Sequence, residues 1–98
     1  MNNFDELIAS NKPVLVDFFA TWCGPCKMMA PILEDVKHSV GDKATIVKID
    51  VDQNQELAMR YGIQSVPTLM LFKNGQQLWR EAGVHQATDI IELLEKNY

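Results

Sequence analysis

The sequence predicts an α/β fold in which a mixed central sheet of about four strands is flanked by helices. Helical and strand-like segments alternate along most of the chain, which is typical of parallel strands with helices on both faces of a sheet. An Asn-Gly pair at 74–75 separates two strand-like runs, and this strong hairpin signal adds an antiparallel pair. The 98 residues, 47% of them hydrophobic and 22% charged, suit one folded domain over residues 1–98.

The chain is predicted to open with a short helix and a buried strand. The helix covers residues 4–10, with Asn3 as its N-cap and Glu6 three residues later. The strand covers residues 14–20 and is apolar on both faces except for Asp17. Such a strand is expected near the centre of the sheet.

A long helix and a second strand follow. The helix begins within residues 23–26, carries apolar residues at helical spacing, and ends at Gly41. Pro31 lies inside it, removes one backbone hydrogen bond, and is expected to kink it. Residues 44–51 then form the second strand.

The last four elements are a short helix, a hairpin and an amphipathic helix. Asp52 is predicted to cap the short helix, which ends at Gly62. The hairpin joins residues 68–73 to residues 76–81. The final helix runs over residues 87–96 with one apolar face.

Charge and hydropathy argue against several classes of function. The net charge of −4 and the lack of a basic run give no footprint for nucleic acid or anionic lipid. No apolar stretch approaches the roughly 18 residues that span a bilayer. Residues 1–6 have neither a basic region nor an apolar core of a signal peptide, so we expect a cytoplasmic protein.

Cys23 and Cys26 are the only cysteines, and they stand at the start of the long helix. Residues three apart share a helix face, so their sulfurs lie within reach of a disulfide. The free N–H groups and the dipole at a helix N-terminus stabilise a thiolate, and they lower thiol pKa values in such settings. The second cysteine lies deeper in the helix and is expected to be less exposed.

The same Cys-x-x-Cys pattern also supplies half of a zinc site. Only His38 and His85 remain as further ligands of the usual kind. His38 falls opposite the apolar face of its helix, and His85 falls in the loop before the last helix. We therefore favour a redox pair over a metal site.

Asp17 is a carboxylate inside an apolar strand that leads into the cysteine segment. A buried, unpaired carboxylate is costly or takes up a proton. Lys48 is the one cation inside a predicted strand at comparable depth, so an ion pair is one interpretation. The other is a buried base that takes a proton from Cys26, and the two are compatible.

These residues resemble a known family. Residues 16–27, VDFFATWCGPCK, resemble the active-site segment of thioredoxins, and residues 66–75, VPTLMLFKNG, resemble their cis-proline strand and hairpin. Residues 82–84 fall where the family has a third surface loop. The resemblance runs from about Phe4 to the C-terminus, and the Trp-Cys-Gly-Pro-Cys motif with a downstream Pro-Thr strand is highly specific.

Two departures from the family pattern are visible. Phe19 occupies a position where many thioredoxins carry a second tryptophan. The chain also leaves no room before Phe4 for the family's first strand. We therefore expect four strands rather than five in a thioredoxin-like three-layer sandwich, with residues 44–51 as an exposed edge strand.

The resemblance implies a mechanism by dithiol–disulfide exchange. It implies that Cys23 is the nucleophile, that Cys26 is the resolving thiol, and that Asp17 is a proton acceptor with Lys48 beside it. The Gly24-Pro25 dipeptide resembles that of reducing thioredoxins, whereas oxidases and isomerases of this fold more often place a histidine there.

The resemblance also implies how partners are met. It implies a cis Pro67 and a small apolar surface for substrate proteins, formed by Trp22, Val66, Pro67, Gly83 and Val84. No bound cofactor is implied, since an NADPH-dependent flavoprotein reductase would restore the dithiol of what we expect to be a monomer. The alternatives are a disulfide isomerase or oxidase, and a protein-binding module in which the cysteines are incidental.

Overall fold

A computed structural model describes residues 3–98 and contains, in that range, one four-stranded mixed sheet. Its strands lie in the spatial order β2-β1-β3-β4, with β1 parallel to β2 and antiparallel to β3, and β3 antiparallel to β4. The bounds are β1 Val14–Phe19, β2 Thr45–Asp50, β3 Thr68–Lys73 and β4 Gln76–Ala82. The prediction of about four strands with the second at an edge is confirmed for this range.

Helices cover both faces of the sheet, as the alternating pattern predicts. Their bounds are α1 Asn3–Ile8, α2 Gly24–Val40, α3 Gln55–Arg60 and α4 Ala87–Glu95, and a single 3-10 turn spans Gly41–Lys43. Pro31 lies inside α2, which remains one continuous helical segment of 17 residues. Within residues 3–98, no helix is both long and apolar enough to cross a membrane.

The two faces of the sheet carry separate apolar clusters because side chains alternate along the central strands β1 and β3. On one face, Leu15, Leu69 and Leu71 pack with residues of α2 and α4. On the other face, β1 and β3 residues pack with Phe4 and Ile8 of α1. Asp17 shares the first face with Leu15, so it lies on the side of the sheet covered by α2.

Two predicted helix starts are wrong in detail. Asn3 lies within α1 rather than before it as a cap. Asp52 does not cap α3, which begins at Gln55 with Asn54 in the N-cap position. Residues 51–53 form a turn instead, in which the Asp52 backbone N–H donates to Asp50 Oδ1 at 2.8 Å.

Candidate redox site

The topology brings four segments to one edge of the sheet. The parallel strands β1 and β2 both end at this edge, and the antiparallel β3 begins there. Strand β4 returns to it, since Ala82 is paired with Thr68. The segments that follow β1, β2 and β4 and the segment that precedes β3 therefore meet.

Most of the sequence-predicted site residues lie in these segments. The turn after β1 and the first turn of α2 hold Trp22 and the Cys-Gly-Pro-Cys motif. The segment before β3 and the segment after β4 hold the other predicted docking residues. The set at this edge is Trp22, Cys23, Gly24, Pro25, Cys26, Val66, Pro67, Gly83 and Val84. Asp17 and Lys48 lie further along β1 and β2.

Cys23 is the N-cap residue of α2 and forms a disulfide with Cys26, across a Cα–Cα distance of 5.3 Å. The Cys26 backbone N–H donates to Cys23 Sγ at 3.1 Å, as it would to the side-chain oxygen of an ordinary N-cap residue. The sulfur of Cys23 thus occupies the place where a helix stabilises negative charge. This geometry favours a thiolate at Cys23 once the disulfide is reduced.

The expectation that Cys26 is less exposed than Cys23 is wrong for this disulfide form. The two residues are 4% and 5% exposed, respectively. Cys23 is covered because it packs with Ala20 and with Val66, whose carbonyl oxygen lies 3.5 Å from Cys23 Sγ. Gly24 and Pro25 are exposed beside the pair.

Trp22 is the most prominent apolar group at this edge, with 70% of its surface exposed. Its indole Nε1–H donates to Asp52 Oδ2 at 2.9 Å, which orients the ring despite its exposure. Sequence reasoning missed this role of Asp52. The parallel register of β1 and β2 indicates this contact. Phe19 is paired with Asp50, so the segments that carry Trp22 and Asp52 leave the sheet at the same end.

The Val66–Pro67 peptide bond is cis, as the resemblance implies. Thr68 Oγ1 donates to the Ser65 carbonyl oxygen at 2.7 Å. The Pro67 carbonyl oxygen accepts the Gly83 N–H at 2.8 Å and so joins the segment before β3 to the segment after β4. These two segments form one continuous surface next to Cys23.

A shallow groove continues this surface on the side of Trp22. Val51, Ile63 and Val66 give it an apolar floor, and Gln64 and Ser65 border it. Val51 and Ile63 were not among the predicted site residues, because in the sequence they read as ordinary core positions.

Asp17 is fully buried, and neither of its carboxylate oxygens has a hydrogen-bond partner within residues 3–98. Burial raises its pKa from 3.8 to about 6, and the positive charge of Lys48 opposes that rise only in part. On the same strand face it is followed by Phe19, which packs with the cysteine pair. The structure thus holds a carboxyl group of raised proton affinity on the strand that leads to the disulfide.

The expected depth of Lys48 is wrong. Lys48 is the register partner of Asp17 on β2, but it is exposed. Its ammonium group lies over the ring of Phe19, 4.8 Å from the ring centroid. Because β2 is an edge strand, a long lysine side chain reaches water there, so its charge acts on Asp17 from outside the core.

Neither histidine extends the cysteine pair toward a metal site. His38 is exposed on α2, and the His85 ring contacts Glu81 and the Gly83 carbonyl oxygen. In the part of the chain that the structure describes, no group of three or more His, Cys, Asp or Glu side chains is placed to hold a metal ion.

Comparisons with known proteins agree with this geometry. A family model described as Thioredoxin matches residues 1–96. The chain is 55% identical over 94 residues to Thioredoxin-like protein slr0233 of Synechocystis sp., which covers 95% of this chain and 90% of that protein. It is 44% identical over 93 residues to a thioredoxin of Rickettsia bellii, which covers 95% and 89%.

Solved structures show the same fold. A mutant thioredoxin from Halobacterium salinarum superposes with a TM-score of 0.85 at 40% identity, and the match covers 96% of this chain and 81% of that one. A thioredoxin from Malassezia sympodialis gives the same TM-score at 36% identity.

Proposed function

This chain belongs to the thioredoxin family and is a thiol–disulfide oxidoreductase, and we propose that it reduces protein disulfides with Cys23 as nucleophile and Cys26 as resolving thiol. The observation that carries the assignment of roles is the placement of Cys23 Sγ at the N-cap of α2. There it accepts the Cys26 N–H, so a thiolate at Cys23 is the better stabilised of the two.

The exchange takes place in two steps. The Cys23 thiolate attacks one sulfur of a substrate disulfide, forms a mixed disulfide, and releases the other substrate sulfur as a thiolate that takes up a proton. Cys26 then loses its proton and attacks Cys23 Sγ. This attack breaks the bond between Cys23 and the substrate, which leaves as a dithiol. The substrate has gained two electrons from Cys23 and Cys26, and these are now joined as the disulfide of this structure.

We propose that Asp17 accepts the proton that Cys26 loses in the second step. A carboxylate whose pKa is about 6 is mostly ionised near neutral pH, yet it accepts a proton more readily than an ordinary aspartate. Lys48 lies on the edge strand β2, and its positive charge stabilises the ionised form of Asp17. Asp17 thus serves the release of substrate rather than the first attack.

The docking surface, as we propose it, consists of Trp22, Val66, Pro67, Gly83 and Val84. Val66 lies against Cys23, Gly83 is hydrogen-bonded to Pro67, and the Trp22 ring is held by Asp52. An extended substrate segment would pair with the backbone before Pro67, as in strand addition.

Membership of the family supports the partners that we propose. The chain carries electrons between disulfide-containing proteins and a thioredoxin reductase, and we propose that this reductase is an NADPH-dependent flavoprotein and that the setting is the cytoplasm. A reducing carrier needs a compartment whose thiol pool does not oxidise it, and this is the reason for that placement.

Trapping tests the two cysteine roles. With insulin as the protein disulfide, we expect Cys23→Ser to abolish reduction and Cys26→Ser to accumulate a mixed disulfide, seen as a mass increase that dithiothreitol removes. A Cys26→Ser variant that turned over at the wild-type rate would falsify the two-cysteine mechanism. Met28→Ala serves as the matched control, since Met28 is an exposed α2 residue near the pair.

A further inference from the structure

The segment after β4 holds a histidine ring between two oxygen acceptors. His85 Nδ1 lies 3.0 Å from the Gly83 carbonyl oxygen, and Nε2 lies 2.9 Å from Glu81 Oε1. The side chain of His85 is 19% exposed, and its ring packs edge-on against Trp79 with the centroids 5.6 Å apart. The ring is therefore held in one orientation.

Both contacts are satisfied only by the protonated ring. A neutral imidazole has one N–H, so one of its nitrogens presents a lone pair, whereas an imidazolium donates from both. Here each nitrogen faces an oxygen that accepts. Loss of the proton leaves either the Gly83 carbonyl or the Glu81 carboxylate facing a lone pair and weakens one of the two contacts.

The Gly83 peptide group connects this ring to the docking surface. Its N–H donates to the Pro67 carbonyl oxygen at 2.8 Å, and its carbonyl oxygen is the one that contacts His85. Gly83 has a φ of 95°, a conformation that other residues rarely adopt. The exposed Val84 side chain follows directly, so its position depends on how Gly83 is held.

We propose that His85 and Glu81 are positioning residues that hold Gly83 and Val84 in the conformation that binds protein substrates, and that they do so more firmly when the imidazole is protonated. The inference rests on the proposed function, because it assumes that substrate proteins dock on this segment. It concerns protein substrates, since a small disulfide reaches Cys23 without covering Val84.

Other charged groups line a cavity beside the ring. They are Glu81 from β4, Asp89 and Glu92 from α4, and Lys96 directly after α4. Of these, Glu81 is the one hydrogen-bonded to the ring in the described structure. Glu92 therefore offers a matched control that removes the same charge from the same cavity.

The test is a ratio of two rates, measured from about pH 5.5 to about pH 8.5. The rate of insulin reduction is divided by the rate of reduction of oxidised glutathione by the same protein. Ionisation of Cys23 affects both rates and cancels in the ratio. Comparison of each variant with wild type at each pH cancels the titration of insulin itself.

Each variant has its own expected pattern. In wild type and in Glu92→Gln, the ratio falls roughly threefold to tenfold as the pH rises, the size expected for the net contribution of one ordinary hydrogen bond. In His85→Leu the ratio is low at every pH. In Glu81→Gln it stays high, because a neutral ring donates from Nδ1 to Gly83 and accepts the introduced amide N–H at Nε2.

Two results would overturn the inference. One is a Glu81→Gln variant that follows the pH profile of wild type. The other is a His85→Leu variant in which both rates fall together, which would mean damage to the cysteine site rather than to docking. A wild-type protein that reduces neither disulfide would overturn the proposed function, and the inference with it.

A second measurement avoids dependence on the folding of His85→Leu. The methyl resonances of Val84, followed by NMR, should titrate in wild type and in Glu92→Gln but not in Glu81→Gln. Val84 signals that titrate alike in all three proteins would contradict the positioning role.

Discussion

Asp17 shows how the environment of a single residue sets both stability and chemistry. It lies in the middle of β1, between β2 and β3, and on the sheet face that α2 covers. Its carboxyl group has no hydrogen-bond partner within residues 3–98. Burial therefore raises its pKa to about 6, and the folded protein carries the cost whenever the group is ionised.

This cost predicts a pH-dependent gain in stability for Asp17→Asn. Below about pH 4 the carboxyl group is mostly neutral in the folded and unfolded chains, so no cost of ionisation arises there. Between about pH 4 and 6 the unfolded chain ionises first, and the free energy of unfolding of wild type falls as the pH rises. Above about pH 6 we expect the variant to be more stable by about 1–2 kcal/mol, because the full shift is worth about 3 and the buried amide gives part of it back.

Urea unfolding of the oxidised proteins at about pH 3.5, 5 and 7 measures this difference. A gain that is already complete at the lowest pH would point to packing, not ionisation, as its cause. A loss of stability at neutral pH would contradict the argument.

The proton-acceptor role of Asp17 makes a second prediction for the same variant. Asp17→Asn should slow release of substrate from the mixed disulfide by at least about tenfold, since a positioned general base commonly contributes more than that. The first attack by Cys23 on oxidised glutathione should keep its wild-type rate and serves as the internal control. Release rates that match wild type throughout about pH 6–8 would argue against this role.

Among the elements, the β3–β4 hairpin depends on its turn. Asn74 and Gly75 have φ values of 54° and 81°, which is the backbone twist that a two-residue hairpin turn requires. The turn also joins α1, because the N–H groups of Asn74 and Gly75 donate to the carbonyl oxygens of Ser10 and Ile8 at 2.8 Å. A substitution that distorts this turn therefore affects both the hairpin and the end of α1.

Gly75→Ala should lower the free energy of unfolding by about 1 kcal/mol, because alanine at positive φ is strained by roughly that amount. The matched control is Gly24→Ala. Gly24 has no positive φ, and a Cβ placed there meets nothing within 4 Å. We expect the control to change stability by less than about 0.5 kcal/mol in the same urea titration. Equal losses in both variants would contradict the turn argument.

The same contrast explains which elements could be predicted from the sequence. Strand and helix positions depend on local periodicity and on turn residues such as the 74–75 pair, so their predicted bounds agree with the structure closely. The cap at Asp52 and the depth of Lys48 depend on neighbours in the sheet instead. Asp52 accepts a hydrogen bond from the Trp22 indole, and Lys48 lies on an edge strand. The local sequence around each residue contains no information on either neighbour.

For the whole molecule, the strand order brings the candidate site together. One edge of the sheet collects the ends of β1, β2 and β4 and the start of β3, so residues as far apart in the chain as Cys23 and Val66 are neighbours. The motif predicted the chemistry of Cys23. The neighbours Val51 and Ile63 became visible only through the fold, because their apolar side chains differ in no way from core residues in the sequence.

The redox behaviour of the whole protein is the remaining prediction. Thioredoxins have reduction potentials of about −270 mV, and we expect this family value for the chain. Protein disulfide isomerase and the oxidase DsbA have higher potentials, of about −180 and about −120 mV. Gly24 and Pro25 leave no histidine between the cysteines to steady the reduced thiolate and raise the potential. Titration in thiol–disulfide buffers, read by the fluorescence of Trp22 next to Cys23, gives the potential directly.

A potential near the thioredoxin value would leave the protein able to donate electrons to most protein disulfides. A matched variant, Pro25→His, should shift the potential upward and so isolate the contribution of the dipeptide. A wild-type potential above about −200 mV would mean that the pair accepts electrons in a reducing compartment, and an oxidase or isomerase would then replace the reductase. Absence of any redox transition would instead favour a binding module with incidental cysteines.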